Sequence, residues 1–117
     1  MQAMEAAKAL AQAIQESDEY REYARLKTEI DADAGIKALV NEYKRLQTAM
    51  QMRVLSGQGM DGEEAQRFQS LNMLLFADSR TSGYLMAEMR LQQALADIFR
   101  IVTEAADVDM SIPGLEG

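Results

Sequence analysis

SGYLMAEMRLQQALADIFRIVTEAA, residues 82–106, is the stretch whose reading decides the fold. At helical period Tyr84, Leu91, Leu95, Ile98, Val102 and Ala105 recur at three- and four-residue steps and form one apolar stripe, interrupted only by Glu88. A second row, Leu85, Met89, Ala96 and Phe99 with Gln92 among them, lies roughly 100° further round the helix. One stripe is enough to seat a surface helix, whereas two rows call for partners on two sides. At about 1.5 Å per residue the segment spans about 37 Å. It therefore reads as a central helix packed by its own chain on one side and by another chain on the other. The second row, Leu85, Met89, Gln92, Ala96 and Phe99, is the expected oligomer or partner surface.

Upstream of this helix, small and polar residues from Ser79 to Gly83 mark either a tight turn or a kink. Before them, Asp61 and Glu64 stand at capping-box spacing and open a helix with Phe68, Leu71 and Leu75 inward and Asn72 interrupting its stripe. The clearest break is SGQGMDG, residues 56–62, where Gly57 suits the left-handed position past a helix end. Ile36, Leu39, Val40, Tyr43, Met50 and Val54 hold one face of a second long helix, with Asp33 as its cap and Gln47 at the centre of the stripe. Earlier still, Ser17 is the expected cap of a helix that carries Tyr20, Tyr23, Ala24 and Ile30 inward, with Lys27 on the same face. A short first helix, Gln2 to Gln15, lines up Met4, Ala7, Leu10, Ala11 and Ile14, small enough in part to allow close helix approach. The expected fold is all-α, an antiparallel helical bundle of about five helices with two long ones, Ile36–Ser56 and Ser82–Ala106, self-associating at least to a dimer. Residues 1–106 make a single domain in this reading. DVDMSIPGLEG, residues 107–117, is an acidic flexible tail with the sole proline, Pro113.

Composition narrows the function classes. Apolar residues make up 48% of the 117, aromatics 6%, and no run of alternating β-branched residues suggests a sheet. A net charge of −7 with only 12 scattered basic residues argues against a phosphate-binding surface, so no direct nucleic-acid binding is expected. Cysteine and histidine are absent, which removes disulfides, thiolate nucleophiles, thiolate metal sites and the Glu-x-x-His motif of di-iron bundles. The glycines of residues 57–62 lack the Lys-Ser or Lys-Thr of a phosphate loop, and the carboxylates lack calcium-loop spacing. No catalytic residue, cofactor or metal is therefore expected. No basic leader precedes a long apolar run and no segment approaches the roughly 20 apolar residues that span a bilayer, so a soluble cytoplasmic protein is expected.

Lys27, Gln47, Asn72 and Glu88 each interrupt an apolar stripe, one on each of four successive helices. Buried charges need partners, so one reading is a buried polar network in which Lys27 meets Glu88 and the two amides complete the hydrogen bonds. Such a network would fix register more than add stability. The other reading has Lys27 snorkelling and the rest at stripe edges. A catalytic Lys–Glu pair finds no second acid–base group or nucleophile beside it. Nine methionines are a high share, and flexible thioethers fill core gaps or suit adaptable contact surfaces. Met52 and Met86 fall off the inward stripes and are the better candidates for contacts.

SDEYREYARLKTEI, LVNEYKRLQ and GYLMAEMRLQQALADI, in this order and spacing, resemble the YlbF/YmcA family of small all-helical bacterial regulatory proteins over nearly the whole chain apart from the tail. Tyr20, Tyr23 and Lys27 of the first motif, Gln47 of the second, and Tyr84, Leu85, Ala87 and Glu88 of the third are the positions that align. The resemblance implies a cytoplasmic, non-catalytic regulatory adaptor that works through protein contacts. Two members of the family join a third, unrelated protein in a complex that influences competence, sporulation and biofilm formation, acting with the membrane-anchored endoribonuclease Y in messenger RNA maturation. That complex is associated with iron–sulfur clusters bound through cysteines, ligands this chain does not have. The alternative from another class is a chaperone-like, Met-rich binder of amphipathic helices.

Overall fold

A helix leaves its first four N–H groups without intrahelical partners, and a side-chain oxygen just before the first turn satisfies some of them. The Ser17 hydroxyl does this for Tyr20 N–H at 3.3 Å, the Asp33 carboxylate for Gly35 and Ile36 N–H at 3.1 Å each, and Asp61 for Glu63 N–H at 2.8 Å. Asp78 accepts from Arg80 N–H at 2.8 Å. These caps divide the computed structural model, described over residues 1–59 and 61–108, into five helices: α1 (Gln2–Gln15), α2 (Asp18–Asp31), α3 (Ala34–Leu55), α4 (Gly62–Ala77) and α5 (Ser79–Ala105). The chain is all-α, with α3 and α5 the two long helices.

The stretch from Ser79 to Gly83, expected as a tight turn or a kink, is helical throughout and begins α5. The turn is Asp78 alone, extended at φ −96° and ψ 126°, and α5 is already helical at Ser79, three residues earlier than its apolar stripe suggests. Thr81 secures this junction: its hydroxyl donates to the Leu75 carbonyl and to the Asp78 carbonyl at 3.1 Å, and the residue is buried. At the other end of α4 the expected reciprocal capping box is replaced by a cross-helix contact, because Glu64 accepts from the Arg53 guanidinium at 3.0 Å.

Helix α3 ends as its glycine predicts. Gly57 has φ +76°, Gly57 N–H bonds the Val54 carbonyl at 3.1 Å and Gln58 N–H the Arg53 carbonyl at 2.8 Å, which together terminate the helix in a left-handed cap. Asp107, at φ +56°, closes α5 by the same pattern without a glycine, with Asp107 N–H on the Glu104 carbonyl at 3.1 Å and Val108 N–H on the Thr103 carbonyl at 2.9 Å. The expected tail lies, from residue 109 on, outside the described residues, as does Met60 of the expected turn.

The described residues fall into two units, one of residues 27–84 and one of residues 1–26 with 85 onward. In the unit of residues 27–84, α3 and α4 form an antiparallel hairpin. Arg53 meets Glu64 near the loop, and Tyr43, ten residues back along α3, meets Asn72 further along α4. Ile30, Val40, Tyr43, Leu46, Leu71, Leu75, Thr81 and Tyr84 are its buried residues. In the other unit Leu26, Leu85, Ala87, Leu91 and Ala96 are buried.

Candidate interaction surfaces

The hairpin core determines which residues are left facing outward. The Tyr43 ring stacks on Phe68 with centroids 4.9 Å apart and an interplanar angle of 14°, and its hydroxyl donates to Asn72 Oδ1 at 3.1 Å. Burial pushes the Tyr43 phenol above its ordinary value, so it stays a neutral hydrogen-bond donor. Lys44 Nζ reaches the hydroxyl of buried Tyr84 at 2.6 Å and lies 4.7 Å from that ring's centroid. On the outer side Arg67 holds the Glu42 carboxylate in a two-pronged fork, both bonds 2.8 Å, which keeps Glu42 below the ordinary carboxylate range and raises Arg67. Side chains on α3 and α4 are thus tied together both inside and at the rim.

The four polar residues singled out from periodicity take different places. Asn72 is half-buried and satisfied by Tyr43. Lys27 is exposed, its side chain 50% accessible, and pairs with Asp31 at 3.4 Å one turn on. Gln47 is exposed as well, and Glu88 is half-buried. In the single chain Lys27 and Gln47 are therefore not buried polar groups. The reason is a small rotation of each stripe: the inward face of α2 centres on Leu26 and Ile30 and that of α3 on Tyr43 and Leu46, leaving Lys27 and Gln47 a step outside.

The second row of α5 also divides. Leu85 and Ala96 are buried within the chain, at 5% and 6% exposure, and Phe99 is half-buried, whereas Met89 at 63% and Gln92 are exposed. A continuous partner-facing row is not available on this helix: Leu85 and Ala96 are core residues, and of the five only Met89 and Gln92 face solvent fully. Neighbouring Met86 is exposed, as is Met52 on α3.

Apart from Met52, the residues of the largest apolar exposure in the hairpin are not among those the sequence singles out for contacts. Met73 (73%), Leu74 (55%) and Phe76 (40%) line the outside of α4, and Met52, Val54 and Leu55 the last turn of α3. Val54, expected inward, is 73% exposed. Met73 and Phe76, three residues apart, are neighbours on the helix surface. The signal available was the width of the apolar content of α4: Leu71–Phe76 runs LNMLLF, more apolar side chains than one inward stripe accommodates. Exposed apolar clusters of this kind mark contact surfaces. Among the described residues no group of three or more acidic, cysteine or histidine side chains is placed to hold a metal ion. No helix of the described residues is long and apolar enough to cross a membrane.

The family described as "Control of competence regulator ComK, YlbF/YmcA" matches residues 3–106. This chain belongs to the YlbF/YmcA family. A UPF0342 protein of Symbiobacterium thermophilum is 32% identical over 104 residues, covering 89% of this chain and 93% of that protein. Another, of Halalkalibacterium halodurans, is 34% identical over 98 residues and covers 84% of each. A solved structure from Bacillus stearothermophilus, described as a protein of unknown function (DUF964), shares the fold with a TM-score of 0.74 at 15% identity, over 92% of this chain and 94% of that one. Membership of the YlbF/YmcA family, whose description is regulatory, is consistent with a regulatory rather than an enzymatic role.

Proposed function

We propose that this protein is a non-catalytic regulatory adaptor of the cytoplasm that works through protein–protein contacts and modulates an RNA-processing complex of the endoribonuclease Y type, linked to competence, sporulation or biofilm control. The observation that carries the contact mechanism is the outer face of α4. Met73, Leu74 and Phe76 are exposed on a hairpin tied down inside by the Tyr43–Phe68 stack and the Tyr43–Asn72 hydrogen bond and at its rim by the Glu42–Arg67 fork. A pre-organised apolar face loses little conformational freedom on binding, which favours affinity. Thioether and aromatic side chains are the ones interfaces enrich. The regulatory description of the family supports the role, and the resemblance of its motifs supports the RNA-processing setting. Self-association at least to a dimer is part of the proposal.

The exposure of Met52, Met73, Met86 and Met89 favours a second reading, a chaperone-like binder that holds amphipathic helices of many clients on a Met-rich surface. Affinity capture of the tagged protein from its native cytoplasm separates the two, with a Met73→Glu/Phe76→Glu variant as control. The adaptor reading expects an endoribonuclease and one or two small partners, lost in the variant. Many unrelated chains would replace it with the helix-binder reading, and recovery of the protein alone would refute both.

A further inference from the structure

Helix α1 is a helix without a core. None of its fourteen residues is buried, and its N-terminus has no side-chain cap. An isolated helix of this length is marginal in water, and helices in proteins are held mostly by the packing of an apolar face. Yet α1 carries such a face, with Met4, Ala7, Ala11 and Ile14 at three-, four- and three-residue steps and Leu10 beside them. Met4 is 63% exposed. Read in reverse, the stripe keeps its shape: bulky, small, small, bulky. Two copies placed antiparallel about a two-fold axis set Met4 of each against Ile14 of the other and Ala7 against Ala11. The small central pair permits close approach, and the same patch serves both chains, as a two-fold interface requires.

A second observation meets this geometry at Ile14. A cavity of about 160 Å³ opens there, lined by Leu10, Ala13 and Ile14 of α1 and by Leu91, Leu95 and Ile98 of α5, among others. The chain leaves it unfilled. In the antiparallel pairing the partner copy's Met4, an unbranched thioether suited to irregular gaps, arrives at its rim.

We infer that α1 is the self-association element of this protein, pairing antiparallel with α1 of a second copy and placing each Met4 in the cavity beside the other's Ile14. The inference rests on the proposed self-association and centres it on α1, since Leu85 and Ala96 of the α5 row are covered within the single chain. From Met4 to Ile14 the stripe is about 15 Å long at about 1.5 Å per residue. By itself it falls short of the roughly 800 Å² per partner of a stable interface, so the filled cavity and its α5 wall are needed to complete it.

The absence of cysteine makes the geometry directly readable, because introduced thiols have no native competitors. A full-length Met4→Cys chain mixed with an Ile14→Cys chain under mild oxidation is expected to form the mixed disulfide at least several-fold faster than Met4→Cys alone or a Glu5→Cys control. An Ala11→Glu variant, which keeps a good helix former, is expected to retain its far-ultraviolet circular dichroism while its dimer dissociation constant rises at least tenfold in sedimentation equilibrium. A wild-type chain that sediments as a monomer would overturn the self-association reading itself. A wild-type dimer unaffected by Ala11→Glu, or one in which Met4→Cys couples fastest to itself, would overturn the assignment to α1 and leave self-association standing.

Discussion

Replacing Leu75 by Ala is expected to destabilise the chain by about 2–5 kcal/mol, the range for emptying a large aliphatic site in a packed core. Leu75 is 2% exposed on the inner face of α4, and its carbonyl receives the Thr81 hydroxyl at the junction with α5. The substitution removes side-chain volume where Thr81 and the turn at Asp78 hold the backbone, so little collapse can relieve the void. Against a total of roughly 5–15 kcal/mol for a domain, that is a large share of stability. Urea unfolding followed by circular dichroism checks it: the midpoint should fall with the slope unchanged. Leu74→Ala, at a position 55% exposed, should stay within about 0.5 kcal/mol of wild type. Equal effects at the two positions would mean that the inward face of α4 has been misplaced.

The second large effect separates neighbours on α5. Leu85→Glu introduces an unpaired carboxylate at a site 5% exposed and is expected to cost about 3–5 kcal/mol, the range for an uncompensated buried charge. Met89→Glu, one turn on but 63% exposed, is expected to leave the melting temperature within a few degrees of wild type. The comparison matters because the two residues share a row in the sequence. If Leu85→Glu folds with a native melting temperature and changes only the oligomeric state, the row is a contact surface and Leu85 is not core.

Helix boundaries were largely legible because their causes are local. Ser17, Asp33, Asp61 and Gly57 each act on backbone groups within a few residues, and each is found doing so. The start of α5 lies three residues before the expected Ser82, because the apolar stripe that marks the helix begins only at Tyr84 while the cap, Asp78, lies upstream of it. Inward faces were legible to within about one residue step and no better. Leu46 and Leu26 are buried with Gln47 and Lys27 a step outside, at the stripe edges that the second of the two readings gave them, because periodicity locates a stripe but the neighbouring helix sets its centre. The second row of α5 shows the same limit: apolar spacing states that Leu85, Met89 and Ala96 share a face, and only packing shows that the first and last are covered. The outer face of α4 escaped notice since LNMLLF, read with one stripe in mind, supplies enough inward residues and leaves Met73, Leu74 and Phe76 without a stated role.

The central claim is regulation through an exposed surface, and complementation tests it most directly. In the native host a strain lacking this chain should show altered expression of a competence-gene reporter, restored by the wild-type chain but not by Met73→Glu/Phe76→Glu purified with native helical content and melting temperature. Full restoration by that folded variant would contradict the account, because the face of α4 on which it rests would then be dispensable.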